Sequence, residues 1–119
     1  MAGTCLIVDD DPMFVQIFAR VVRPFGLAPT IVEDVPSATS ALLQRDFDLV
    51  FLDIRLGNAD GRVVIEAMRH SKPHMLRRII VVTGYPGARI GLPPELIVID
   101  KSNLSGIGKR VAAVIGVER

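Results

Sequence analysis

Asp9, Asp10 and Asp53, with Thr83 and Lys101, are the residues of this chain whose types could act together on one substrate. Three carboxylates brought close repel one another unless a cation compensates, and oxygen-only ligands suit Mg²⁺. A divalent ion with open positions can hold phosphate oxygens. Lys101, a flexible point charge, can neutralise a further phosphate oxygen, and the Thr83 hydroxyl can donate to another. Asp53 closes an apolar run and is the candidate nucleophile on phosphorus, because aspartyl phosphates are an established covalent route. Gly84 leaves space for a phosphoryl group to approach.

Such residues act together only if the chain brings them to one place. The stretch LVFLDIRLGNADG, residues 49–61, has four apolar residues ending on Asp53, then Gly57, Asn58, Asp60 and Gly61 to turn the chain. It is too short for a core helix and rich in β-formers, so it predicts a buried strand with a carboxylate at its C-terminal end. Residues 5–8, 28–32, 79–82 and 96–99 are further apolar runs, ending near Asp9 and Asp10, Glu33, Thr83, and Asp100 with Lys101.

Between these runs the apolar residues recur at helical spacing. Phe14, Ile17, Phe18, Val21 and Val22 define a first helix, capped by Asp11, opened by Pro12 and stopped by Pro24 and Gly26. Ala38, Ala41 and Leu42 mark a second, opened by Asp34 and Pro36. A third starts at Asp60 or Gly61 with Val63, Val64, Ala67 and Met68 inward. The last runs from about Ser105 to Ile115, with Ile107, Val111 and Val114 inward and its first turn weakened by Gly106 and Gly108. Only GYPGARIGLPPE separates the fourth and fifth strands, so a helix there is missing or reduced to a turn. The pattern predicts a flavodoxin-like, doubly wound five-stranded parallel sheet ordered 2-1-3-4-5, occupying residues 1–119 as one domain. Its carboxyl rim would collect Asp9, Asp10, Asp53, Thr83 and Lys101.

Composition narrows the function classes. Fourteen Lys and Arg stand against thirteen Asp and Glu, which gives no basic field of the kind nucleic acid requires. No apolar run approaches membrane-spanning length and no signal region opens the chain, so a soluble, cytoplasmic protein is expected. Cys5 stands alone in an apolar run and reads as a core thiol. His70 and His74 flank the end of the third helix and read as surface residues favoured by the helix C-terminus.

LIVDDDP, the strand ending LDIRL with a downstream DG, VVTG, and a Lys after the last strand resemble the receiver domains of two-component response regulators. The resemblance covers essentially the whole chain in the right order. It implies that Asp53 accepts a phosphoryl group from a histidine kinase or histidine phosphotransfer protein. It also implies a Mg²⁺ site formed by Asp9, Asp10 and Asp53 with the Arg55 backbone carbonyl, while Thr83 and Lys101 bind and sense the phosphoryl group. A stand-alone receiver would signal to a downstream protein target by direct contact, with homodimerisation open. It would be a phosphoacceptor rather than an enzyme, apart from its own phosphorylation and dephosphorylation.

The sequence departs from the family pattern at several positions. Ser102 stands where Pro usually follows the Lys, Val98 where an aromatic usually precedes it, and Gly57 where Pro is usual. Thr83, Gly84 and Tyr85 resemble a variant subgroup with a TGY motif and a poorly formed fourth helix, in which Thr83, Tyr85 and the 84–94 loop would form the switch. Two other readings compete. One is a receiver-like interaction module independent of phosphorylation. The other is a haloacid-dehalogenase-like phosphatase, which VDDDP also resembles, with Asp9 as nucleophile and Asp11 as acid/base. That class needs a further acidic pair and usually a cap insertion, and this chain supplies neither.

Overall fold

The computed structural model describes residues 3–84, 87, 89 and 91–116. Five parallel strands, β1 (Gly3–Val8), β2 (Leu27–Val32), β3 (Leu49–Leu52), β4 (Ile79–Thr83) and β5 (Ile97–Asp100), form one sheet in the order β2-β1-β3-β4-β5. This is the flavodoxin-like arrangement expected from the alternation of apolar runs and amphipathic helices. The order reverses between β1 and β3, and open α/β sheets bind ligands at the carboxyl ends of strands beside such a reversal.

Helices α1 (Pro12–Val22), α2 (Val35–Gln44), α3 (Arg62–Ser71) and α4 (Ile107–Ile115) cover both faces. The period-two alternation of the strands decides which face each residue serves. Leu6, Val8, Val50, Leu52 and Val81 join one core with residues of α2 and α3. Cys5, Ile7, Leu49, Phe51, Val82 and Ile99 join the other with residues of α1 and α4. On that second face Phe14 lies 6.0 Å from Phe18, ring centre to ring centre, and Phe18 stacks on Phe51 at 4.7 Å.

Capping follows the sequence closely. The Asp11 side chain accepts from the Met13 N–H at the start of α1, and Asp34 accepts from the Ser37 N–H at the start of α2. A short 3-10 turn, Arg23–Phe25, ends on Gly26 in the left-handed region. Among the described residues between β4 and β5 there is no helix, in keeping with the expectation of a missing helix or a mere turn. The Arg89 guanidinium instead donates to the carbonyls of Leu96 and Pro94, fastening that connection to the start of β5.

Four expectations need correction. Val63 is 56 % exposed, and Ile65 takes the inward place on α3. Val64, Ile65 and Met68 form the buried face of α3, and with about 3.6 residues per turn Val63 points away from it. α4 begins at Ile107 rather than near Ser105, because Gly106 has φ 79° and stands just outside the helix. Only Gly108 therefore carries a helical glycine's entropic cost. β5 starts one residue later than expected, at Ile97, although Leu96 is buried. Finally, Arg55–Leu56 and Ala59–Asp60 pair as a small antiparallel hairpin where only a turn was expected.

The Phe18–Phe51 stack ties α1 to the central strand, so its loss should be felt globally. Phe51→Ala is expected to lower unfolding stability by about 3–5 kcal/mol in a urea titration, as other buried aromatic truncations do.

Candidate functional site

Asp9 follows β1 and Asp53 follows β3, held in step by the Val8–Leu52 register and by the Asp53 N–H donating to the Val8 carbonyl. Lys101 follows β5, and its N–H donates to the Thr83 carbonyl. Asp9, Asp53 and Lys101 continue the alternation of Ile7, Phe51 and Ile99, all of which face α1 and α4. Their side chains meet there. Lys101 Nζ donates to Asp53 Oδ2 at 2.8 Å and lies 2.9 Å from Asp9 Oδ2. A third side of the ammonium faces the Phe14 ring, 4.3 Å from its centre.

Backbone donors hold the other carboxylate oxygens. Asp9 Oδ1 accepts from the Asp11 N–H at 2.9 Å, and Asp53 Oδ1 accepts from the Arg55 N–H at 3.1 Å. Asp10, unlike the other two, is exposed, and its Oδ2 accepts from the Gly57 N–H at 2.9 Å. The sequence marks Gly57 as a turn residue and a departure from Pro, not as a partner of Asp10. Its φ of 62° and its donated N–H are both beyond proline, whose ring fixes φ near −65° and removes the donor. The chain passes close to Asp53 again at Gly61, where a Cβ would collide with the Asp53 carbonyl oxygen. Glycine is required there for space, which explains the DG of the sequence.

Lys101 is positioned without the usual proline. The Asp100 carboxylate accepts from both the Ser102 N–H and its hydroxyl at 2.9 Å, closing the turn in which Lys101 stands. Thr83 is 4 % exposed at the end of β4, on the same rim. A Cβ at Gly84 would meet nothing within 4 Å, so that side of the rim is open. Tyr85 lies outside the described residues. Asp11 is the cap of α1, a role that leaves it out of the acidic group.

Electrostatics define what this arrangement lacks. Asp9 is 1 % exposed, and burial pushes its carboxyl above the ordinary aspartate range. The Asp11 N–H and Lys101 pull the other way, while the Asp53 charge adds to the rise. Burial also opposes the Lys101 charge, but its contacts with Asp53 and Asp9 outweigh this and raise its pKa. Asp9 Oδ2 is buried without an aligned hydrogen bond, its contact with Lys101 being an ion pair only. Oxygens of Asp9, Asp10 and Asp53 all come within 4.8 Å of one another. Hard oxygen donors, excess negative charge and an unsatisfied buried carboxylate oxygen fit a divalent cation such as Mg²⁺.

His70 and His74 stand at the other end of α3, as surface residues. His74 Nε2 is 2.8 Å from Asp46 Oδ2, and Lys72 Nζ donates to Asp46 Oδ1 at 2.8 Å. Cys5 is fully buried, which raises its thiol pKa to about 12 and makes it inert. No helix among the described residues is long and apolar enough to cross a membrane.

This geometry is that of a known class. The profile described as "Response regulator receiver domain" matches residues 5–89, and the chain belongs to that family of two-component signalling domains. Among its relatives, the acid tolerance regulatory protein ActR of Sinorhizobium medicae is 39 % identical over 80 residues, covering 67 % of this chain and 40 % of ActR. The alginate biosynthesis transcriptional regulatory protein AlgB of Pseudomonas aeruginosa is 34 % identical over 83 residues, 70 % of this chain and 18 % of AlgB. The aligned part is thus well under half of these relatives. Two solved structures agree in fold. The receiver domain of a sensor histidine kinase from Pseudomonas aeruginosa, with magnesium in its active-site cleft, aligns with TM-score 0.79, 21 % identity, and coverage of 98 % of this chain and 99 % of the other. The response regulator protein TrrA of Thermotoga maritima, in complex with Mg²⁺ and BeF, gives 0.78, 23 %, 94 % and 98 %.

The raised Asp9 pKa has a stability consequence with a definite sign. Between the unfolded value and the higher folded value the native state binds more protons, so stability falls as pH rises through that window. Asp9→Asn, measured with EDTA present, is expected to flatten this fall. Its melting temperature should exceed that of the wild type at pH 7, and the difference should shrink as pH drops towards 4.

Proposed function

We propose that Asp53 accepts a phosphoryl group from the phosphohistidine of a histidine kinase or histidine phosphotransfer protein. The observation that carries this reading is the buried bridge from Lys101 Nζ to Asp53 and Asp9, beside a buried carboxylate oxygen with no aligned donor. Asp9, Asp10 and Asp53, with the Arg55 carbonyl, would hold Mg²⁺, which supplies charge compensation for the carboxylates and for phosphoryl oxygens.

An Asp53 oxygen attacks phosphorus, the O–P bond forms, the N–P bond of the donor breaks, and the imidazole nitrogen keeps the bonding electron pair. The Arg55 N–H on Oδ1 holds the carboxylate in orientation during attack. Lys101 gives up Oδ2 and follows the charge to a phosphoryl oxygen, while the Thr83 hydroxyl takes another. The open side at Gly84 admits the group.

Output through protein contact follows from a switch around Thr83 and Tyr85. The new charge, close to two negative units, shifts the packing of the 84–94 loop towards one partner surface. In this reading residues 1–119 act as a cytoplasmic receiver module whose output runs through protein contact.

Incubation with a phosphorylated histidine kinase and Mg²⁺ should add the mass of one phosphate to the wild type and none to Asp53→Ala. No gain with any competent donor would overturn the reading in favour of a phosphorylation-independent module. In a separate thermal titration, Mg²⁺ at a hundred times its dissociation constant should stabilise the wild type by about 2.7 kcal/mol. Asp9→Asn should lose most of that gain.

A further inference from the structure

Phe14 is a residue to which neither the sequence reading nor the proposed chemistry gives a role at the site. Its side chain is half-buried on the first turn of α1, and its ring face receives the Lys101 ammonium, Nζ lying 4.3 Å from the ring centre. The Lys101 side chain is only 13 % exposed, so this contact is made largely out of water, where a cation over an aromatic face is held most firmly. We propose that Phe14 is a positioning residue for Lys101, holding its charge at the rim while leaving its N–H groups free to turn.

The arrangement around Nζ supports this. Asp53 Oδ2 takes one aligned hydrogen bond, Asp9 Oδ2 provides charge without alignment, and the ring closes a third side. A ring face attracts the whole ammonium and fixes no single N–H direction. A carboxylate or carbonyl in the same place would compete with the incoming phosphoryl oxygens for those donors. The ring itself is not loose. Phe14 and Phe18 are neighbours one helical turn apart with ring centres separated by 6.0 Å, and Phe18 stacks at 4.7 Å on Phe51, two residues before Asp53 on β3. Lys101 and Asp53 are thus referred to one aromatic ladder. The contact also fits the local sequence, since Ser102 leaves the Lys101 turn to a hydrogen-bonded Asp100 rather than to a proline ring.

The kinetic consequence rests on Asp53 being the phosphoryl acceptor, so the test has one arm that does not. In the unphosphorylated protein the Lys101 Cε protons should show an upfield ring-current shift by NMR, retained in Phe14→Tyr and lost in Phe14→Leu. In the second arm, Asp53 is labelled by phosphoramidate with saturating Mg²⁺. Phe14→Leu should slow the maximal rate on the order of tenfold with little change in half-saturating donor concentration, within the reach of a desolvated cation–π contact. Phe14→Tyr should label at close to the wild-type rate, and in a Lys101→Ala background Phe14→Leu should cost nothing further.

Equal slowing with and without Lys101 would make Phe14 merely structural, and labelling indifferent to Phe14 would overturn its role outright. So would an unshifted Lys101 signal in the wild type. If the wild type takes no label from phosphoramidate or from a competent kinase, the acceptor reading falls and takes the kinetic role with it, whatever the NMR arm returns.

Discussion

One ammonium group between two buried carboxylates is the constraint on which the carboxyl rim depends. Taking Asp9 and Asp53 out of water is costly, and Lys101 offsets that cost only because β5 ends in register with β4, which in turn pairs with β3. The sheet is therefore more than a scaffold for the site. Its strand order brings the ends of β1 and β3 side by side, and its alternation gives Asp9, Asp53 and Lys101 a common face. The compensation is also incomplete: one lysine faces two buried acids, with a third, exposed acid beside them, which leaves net negative charge at the rim. That imbalance is what a divalent cation relieves.

Most of this was legible in the chain. Apolar runs of four residues ending on Asp9, Asp53 and Thr83 marked three of the strands, and Asp11 with Pro12 and Asp34 with Pro36 marked two helix starts. That no helix stands among the described residues between β4 and β5 could be read from three prolines and three glycines in twelve residues. What escaped is of three kinds. Val63 fits a helical spacing with Ala67, but the stripe that packs runs through Val64, Ile65 and Met68, and apolar spacing alone does not decide between two overlapping faces. The hairpin at Arg55–Asp60, and Gly57 as a donor to the Asp10 carboxylate, depend on backbone N–H groups, which nearly every residue carries and which therefore leave no signature in the sequence.

Phe14 belongs to a third kind. Its spacing with Phe18 marked it correctly as an inward residue of α1, and that description is true of its edge against the core. The same ring has a second surface directed at Lys101. Burial patterns assign a residue to one environment, whereas an aromatic side chain at the top of a core can serve two.

The short turns at the rim share a further property. The Asp9 carboxylate binds the N–H of Asp11, that of Asp53 binds the N–H of Arg55, and that of Asp100 binds the N–H of Ser102. In each case a side chain clasps the backbone two residues on, so an acid is oriented by its own stretch of chain and needs no distant partner to aim it. The residue inside each clasp is Asp10, Ile54 and Lys101 respectively. Two of the three carry charge directed at the site, so this one tripeptide device serves both as an anchor and as a mount. Its geometry travels with the strand end, and substitutions elsewhere on the sheet can alter the surroundings of the rim without re-aiming its acids.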